Sequence, residues 1–189
     1  MSIDDLLSGL ELKLERQGLY QEAEDYYTNK VAEKFASHRL MNRLNRAGFR
    51  INLAKIPVKL VADRLEIAAV TVPDDEKLTA LLQEEVWNKN ELLLEMPQIT
   101  LNTCKLGDSY CFVWPDEDGS VEITYNSPNC LTAVYDPEHP RRMMYAVKAW
   151  SLGGREGRTR AEIYYPEKIE RWITKAKATG KAENWEPYE

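Results

Sequence analysis

A predicted β-hairpin between Leu106 and Asn129 constrains the fold of this chain more than any other stretch. Its first strand ends at Pro115, and its turn contains three consecutive acids followed by Gly119. In the second strand, the apolar side chains Val121, Ile123 and Tyr125 alternate with polar residues. This period of two indicates a strand with one buried face. A helical pattern that stops at Gly107 comes directly before it, so the sequence predicts a helix followed by a hairpin.

Most of the chain before the hairpin has helical spacing. Apolar residues recur at intervals of three and four from Ile3 to Leu14, and we expect this helix to end at Gly18. Further helical patterns cover residues 51–65 with Pro57 inside, the stretch after Asp74, and residues 91–105 with Pro97 inside. Residues 66–72 are rich in β-branched side chains, which favours a short strand there.

Strand patterns follow the hairpin at residues 131–134, 143–150 and 161–165, and a further strand or turn starts at Pro166 and continues to Ile173. The predicted fold class is therefore α+β, with N-terminal helices followed by a mostly antiparallel β-meander. We predict an N-terminal helical region at 1–65, an α+β domain at 66–173, and a polar, mobile tail at 174–189.

Composition excludes several classes of protein. Hydrophobic residues make up 43% and charged residues 30% of the chain, a globular balance that argues against a disordered or fibrous protein. No apolar run approaches the roughly 20 residues needed to cross a bilayer. The N-terminus carries Asp4 and Asp5 instead of a basic segment, so neither a membrane nor a secreted protein is predicted.

The cysteines and histidines do not have the spacing of a metal site. Cys104, Cys111 and Cys130 are odd in number and lack paired short spacing, which favours reduced packing residues in a reducing cytosol. His38 and His139 stand apart from carboxylates or cysteines at ligand spacing. We therefore predict no metal and no cofactor.

Charge is segregated into blocks whose sign alternates along the chain. Residues 31–64 hold eight bases and two acids, whereas residues 65–140 hold fifteen acids and three lysines. Residues 1–30 are net acidic and residues 141–189 net basic, and the whole chain carries −6. Such blocks could complement a neighbouring copy of the chain, or they could place acidic surface where a polyanion slides without binding. They could also be ordinary solvated faces.

Three patterns that resemble enzyme or ligand sites have simpler interpretations. Asp116, Asp118 and Glu122 lack the first acid and the distant glutamate of a calcium loop, so a hairpin turn is favoured. Gly153, Gly154 and Gly157 lack the Lys-Ser or Lys-Thr pair of a phosphate loop. Ser109 and Ser127 lack the glycines of a nucleophile elbow. We predict no catalytic residue, although a triad assembled in space stays open as an alternative.

Two groups of residues could contact a partner. The aromatic residues of the strands, from Tyr110 to Trp172, lie near Arg141, Arg142, Lys148, Arg158 and Arg160 and could stack nucleic-acid bases, but sheet packing also explains them. Arg39, Arg43, Arg46 and Arg50 recur at helical spacing and could face a phosphate backbone or an acidic protein; we favour a protein.

An ordered set of motifs over Asp25 to Ile173 resembles the portal protein of tailed bacteriophages, the head-to-tail connector. The motifs are Asp25-Tyr26-Tyr27, Asn52-Leu53-Ala54 through Asp63-Arg64-Leu65, Trp87 with Asn90, Leu106-Gly-Asp-Ser-Tyr-Cys-Phe-Val-Trp-Pro115, Asn126-Ser127-Pro128, and Val134-Tyr135-Asp136-Pro137. The resemblance implies a wing-like fold and a structural role without hydrolytic activity.

The resemblance also implies partners. A portal forms a ring, typically a dodecamer, at one capsid vertex, and double-stranded DNA passes through it without sequence-specific recognition. The expected partners are other portal subunits, the capsid, the packaging terminase and tail adaptor proteins, with no membrane. The expected location is the virion, and the host bacterial cytoplasm during assembly.

Portal proteins are longer than this chain, so the resemblance is to their N-terminal wing. We therefore expect an N-terminal fragment, either cut from a longer protein or encoded by a truncated prophage gene. The alternatives are a stand-alone protein-interaction module, a prophage remnant, or a cryptic enzyme with the same order of helices and strands.

Overall fold

The computed structural model describes residues 2–30, 52–116, 118–153, 157–175 and 182–188. Its helices are α1 (Ser2–Tyr27), α2 (Lys55–Ala62), α3 (Glu76–Leu81), a π-helical segment (Leu82–Asn88) that continues α3, α4 (Leu92–Leu106), and a short 3₁₀ helix (Ala182–Asn184). The strands are β1 (Tyr110–Pro115), β2 (Val121–Asn126), β3 (Leu131–Tyr135), β4 (Met143–Ser151), β5 (Thr159–Tyr164), β6 (Ile169–Thr174) and β7 (Trp185–Pro187).

The strands form two antiparallel sheets. Strands β1 and β2 pair as a hairpin in which Val113 lies opposite Ile123. The other five strands form a meander in the order β3-β4-β5-β6-β7. The α+β fold class and its order, helices first and meander second, are therefore confirmed.

The chain divides into two compact units. The first, which we call the sheet unit, comprises Met1–Gly18 and Ser127–Glu189; the second, the hairpin unit, comprises Leu19–Asn126. The domain boundaries predicted after residues 65 and 173 stay a prediction, because compactness alone does not establish which segments fold independently.

The core of the sheet unit lies between the first turns of α1 and one face of the meander. Leu6 is fully buried against alternate residues of the strands: Tyr145, Val147, Ala149, Ala161 and Ile163. Because side chains alternate along a strand, every second residue of β4 and β5 reaches this layer. The Tyr165 hydroxyl donates a hydrogen bond of 2.7 Å to Asp5 on α1. Burial, followed by this hydrogen bond, raises the pKa of Tyr165.

Gly9 sets how closely α1 approaches the meander. A methyl group added at this position would lie 2.4 Å from one Cγ of Val147 and 3.0 Å from its Cβ. Both distances are shorter than van der Waals contact, and the Cβ cannot swing away as a long side chain would. The helix therefore packs against β4 at a distance that only glycine allows.

Other local predictions have mixed outcomes. Helix α4 ends where expected, because Gly107 adopts a φ of 87° and its N–H closes the last turn on Thr103. The predicted end of α1 at Gly18 is wrong, since the helix continues to Tyr27. Glycine costs a helix interior only about 1 kcal/mol, which contacts further along the helix can outweigh.

Residues 66–72 form neither helix nor strand, which corrects that prediction. Their backbone is bonded by side chains of the following helix: the Val72 N–H donates to Thr79 Oγ1 at 2.9 Å, and Gln83 donates to the Val70 carbonyl at 3.3 Å. β-Branched composition favours extended backbone, but a strand also needs a neighbouring strand.

The predicted tail at 174–189 contains regular structure at its end, a short helix and strand β7, while its mobility stays a prediction. Strand β7 pairs with β6, so that Trp185 lies opposite Thr174, and the Trp185 side chain is buried in the core of the sheet unit. A three-residue strand is too short to show alternation, so no periodic pattern marks it in the sequence. The apolar area of one tryptophan nevertheless favours its burial.

Candidate interaction surface

Tyr27, at the end of α1, joins three helices of the hairpin unit. The ammonium groups of Lys55 on α2 and Lys105 on α4 each lie 5.3 Å from the centre of its ring. Lys105 also forms an ion pair of 2.6 Å with Glu24, and the Asn52 side chain donates to the Tyr27 carbonyl. A cation close to an aromatic face is attracted to the ring quadrupole. These contacts hold the end of α1 beside the start of α2 and the end of α4.

Asn90 connects the helices to the hairpin. Its side-chain nitrogen donates to the Val86 carbonyl at 2.8 Å and to the Val121 carbonyl at 2.7 Å, and its oxygen accepts from the Ile123 N–H at 2.7 Å. The next residue, Glu91, has a positive φ of 50°. One side chain therefore bonds two alternate residues on β2 in the way that a neighbouring strand would.

Two more hydrogen bonds fix the hairpin within its unit. The Asn102 side chain, which is buried on α4, donates to the Tyr125 hydroxyl at 2.7 Å. The Tyr20 hydroxyl on α1 donates to Asp108 just before β1. Both bonds join residues more than twenty positions apart, so they position the hairpin by tertiary contacts in addition to its turn.

A groove of about 1050 Å³ lies in this unit between α2 and α4. Tyr27 and Lys55 line one part of it, and Leu65 and Ile67 line another. Its walls include Leu93 and Leu94, whose side chains are 60% and 75% exposed. The groove is thus an open apolar concavity on a surface that its own unit does not cover.

The groove belongs to a larger exposed apolar surface. Ten large apolar side chains between residues 53 and 94 are more than 40% exposed: Leu53, Ile56, Leu60, Val61, Leu65, Ile67, Leu78, Leu81, Leu93 and Leu94. In the described part of residues 52–94, only Ala62 and Leu92 are buried. Scattered exposed leucines are ordinary, but a dense group in one stretch marks an interaction surface.

Sequence reasoning did not find this surface. The signal was present in the apolar positions of α2 and α3, which predict helices with one apolar face, but it says nothing about whether the same chain covers that face. Exposure depends on which elements pack together, so only the tertiary structure identifies these residues as uncovered.

The acidic turn of the hairpin is a closed turn. The Asp116 N–H donates to the Ser120 carbonyl at 2.8 Å, and Asp118 accepts from the Ser120 N–H at 2.8 Å and from Lys89 at 3.2 Å. Hydrogen bonds from Ser120 hold the pKa of Asp118 at about 2. Within the described ranges, no three His, Cys, Asp or Glu side chains are grouped so that they could hold a metal ion.

The other residues considered from the sequence lie in turns and loops, or outside the described residues. The Ser109 hydroxyl is buried, and Ser127 accepts from the Asn129 N–H at 3.3 Å within a turn. His139 pairs with Asp136 at 3.5 Å on an exposed loop. Gly154, His38, Arg39, Arg43, Arg46 and Arg50 fall outside the described residues.

The basic and aromatic residues of the meander pair with one another. Lys148 lies 5.7 Å from the Trp150 ring, and Arg160 lies 4.8 Å from the Tyr188 ring. Arg171 lies 3.5 Å from Glu162. Sheet packing therefore accounts for much of this group without a nucleic acid. In the described part of the chain, no helix combines the length and apolar character that crossing a membrane requires.

The sequence model of the family described as phage portal protein, SPP1 Gp6-like, matches residues 6–187. The chain belongs to this family. The match includes both units and every strand, so the portal assignment rests on nearly the whole chain. A comparison with curated proteins found no match.

Membership in the portal family gives this chain a structural role in the phage portal. Portal proteins are virion components that generally form an oligomeric ring associated with the capsid. In this portal protein, three residues from the motifs that resemble the family make the contacts described above: Tyr27 and Asn52 join α1, α2 and α4, and Asn90 holds the hairpin. Eight of the ten exposed apolar residues lie between Asn52 and Asn90 in the sequence.

Proposed function

We propose that this chain is a wing subunit of a portal ring at one capsid vertex, through which double-stranded DNA is packaged and later ejected. The match of residues 6–187 to the phage portal family carries the proposal. The order of helices and meander agrees with the wing-like fold that the sequence motifs imply. The ring is a homo-oligomer, a dodecamer in its complete form.

The proposed partners follow from this position. The ring contacts the capsid, and it binds the packaging terminase during DNA entry and tail adaptor proteins afterwards. Assembly takes place in the host bacterial cytoplasm, and the mature location is the virion. The contacts with DNA are made to the phosphate backbone and are therefore not sequence-specific.

The exposed apolar surface supports an assembled state over an isolated one. A subunit that acts inside a ring can leave apolar side chains uncovered, because its neighbours remove them from water. The ten exposed apolar residues between 53 and 94 have this character.

The proposal is tested in phage particles from the host that carries this gene. Mass spectrometry of purified DNA-filled particles should detect peptides from this chain at the copy number of one ring per particle, and antibody labelling should mark one vertex. A stop codon placed early in the gene should yield heads without DNA, and a silent codon change at the same position is the matched control. Full-titre, DNA-filled particles that lack the chain would overturn the proposal.

A further inference from the structure

Two surfaces of the hairpin unit have opposite charge and the same apolar character. The first, which we call the basic surface, consists of Ile56, Lys59, Leu60 and Arg64 on and just after α2. The second, the acidic surface, consists of Leu78, Leu81, Glu84 and Glu85 on α3 and the π-helical segment. All eight side chains are exposed.

Charge differs between the two surfaces over their whole segments. Residues 55–64 carry three bases and one acid, whereas residues 74–85 carry five acids and one base. Within the described ranges, the side chains of Lys59, Arg64, Glu84 and Glu85 have no hydrogen-bonding or ion-pair partner in their own chain. The charges are therefore available to another molecule.

The apolar residues of each surface lie on one side of their helix. Ile56 and Leu60 are one turn apart on α2, and Leu78 and Leu81 are three residues apart on α3. Their exposed fractions range from 42% to 57%. Each surface thus combines an apolar pair with two like charges, which is the composition of one half of a polar-rimmed interface.

We propose that the basic surface of one copy of this chain binds the acidic surface of the next copy. The two surfaces differ, so the contact is head-to-tail, and repeated head-to-tail contacts close into a ring when the rotation between copies allows it. Opposite charges align the two surfaces, and the apolar pairs lose contact with water. This inference rests on the proposed ring function and names the residues that would form the ring contact.

The test measures association of the purified 189-residue chain by sedimentation velocity over a range of concentrations. Wild-type chain should form dimers and larger species, and association should weaken as salt rises, because salt screens the charges. The first variant reverses the basic surface by Lys59→Glu with Arg64→Glu, and the second reverses the acidic surface by Glu84→Lys with Glu85→Lys. Each should weaken association by about tenfold or more.

Mixing the two variants distinguishes a head-to-tail contact from a symmetric one. Each variant keeps one intact surface that the other variant lacks, and their two reversed surfaces are also opposite in charge. An equimolar mixture should therefore form dimers and larger species as wild type does, whereas a symmetric contact would stop at dimers. A chain that carries all four substitutions has both surfaces reversed and should regain association.

Matched controls reverse the same number of exposed charges in the sheet unit: Arg141→Glu with Arg142→Glu, and Glu138→Lys with Glu167→Lys. Both controls should associate as wild type does, and circular dichroism should show that every variant is folded. A monomeric wild-type chain, variants that associate as well as wild type, or a mixture that stays monomeric would overturn the inference. Any of these results alongside detection of the chain at one vertex of phage particles would leave the proposed function intact.

Discussion

The two compact units of this portal protein differ in how far they bury their apolar side chains. In the sheet unit, α1 covers the meander, and Leu6, Val147 and Ile163 are completely buried. In the hairpin unit, residues 53–94 leave Leu94 and nine other large apolar side chains exposed. The first unit is stabilised by its own core, whereas the second carries apolar area suited to stabilising an assembly.

The contrast has a cause in the elements themselves. A five-stranded sheet offers a broad face that one amphipathic helix can cover. Helices α2 and α3 are only eight and six residues long, and their apolar residues Ile56, Leu60, Leu78 and Leu81 stay exposed. Polar contacts at Tyr27 and Asn90 therefore contribute much of what holds the elements of the hairpin unit together.

The strongest test of this contrast compares a core residue with an exposed one. Ile163→Ala should lower the free energy of unfolding by about 2–5 kcal/mol, because it removes buried methyl groups and leaves a cavity. Leu94→Ala should change it by less than about 0.5 kcal/mol in the unassembled chain. Urea denaturation of both variants measures the difference. Equal losses would mean that the two units do not differ in burial as described.

A second test concerns the packing of α1 on the meander. Gly9→Ala should destabilise the chain by about 1–3 kcal/mol, since the added methyl group meets Val147. Gly18→Ala is the matched control, because no atom lies within 4 Å of the added methyl group and alanine favours a helix by about 1 kcal/mol. Thermal unfolding should therefore shift in opposite directions for the two variants. A stabilising Gly9→Ala would show that the close approach of α1 to β4 is not needed.

A third test examines the polar contacts of the hairpin unit. Asn90→Ala removes two hydrogen bonds to β2 and should cost about 1 kcal/mol. Amide exchange at Ile123 should rise, because its N–H loses the Asn90 oxygen as partner. Asn88→Ala removes a nearby exposed asparagine side chain and serves as the control. Unchanged exchange at Ile123 in Asn90→Ala would contradict the role of this side chain.

The smallest effect concerns the turn of the hairpin. The pKa of Asp118 is lowered from 3.8 to about 2, so its ionised form is favoured in the folded chain. The stabilisation is present above the unfolded pKa and is lost as pH falls through the folded one, between about 4 and 2. The amide signals of Ser120 and Gly119 should follow this titration, and Asp118→Asn should abolish it. Signals from the meander provide an internal control, and a midpoint near 3.8 would contradict the turn geometry.

Much of the fold was predictable because local signals agreed with one another. Pro115 ends the first strand of the hairpin and Gly119 lies in its turn, Gly107 ends α4, and the period of two in the later segments predicts the meander. The portal resemblance was also predictable, since its motifs are short, ordered runs in the sequence, and the family match confirms it.

The predictions that were wrong were local, and contacts with residues elsewhere in the chain outweighed the local preferences. Gly18 does not end α1, residues 66–72 bond to side chains instead of a strand, and Trp185 enters the core from a segment without a pattern. The candidate interaction surface could not be predicted for the same reason, because exposure is a property of packing.

The sequence by itself determined the order of elements, the charge blocks and the portal family, because periodicity, turn residues and motifs are local in the chain. Only the tertiary structure decided which apolar faces are covered, how Asn90 and Tyr27 join distant segments, and which charges are left for another molecule. These properties depend on contacts between residues far apart in sequence, and the pattern of any one segment does not contain them.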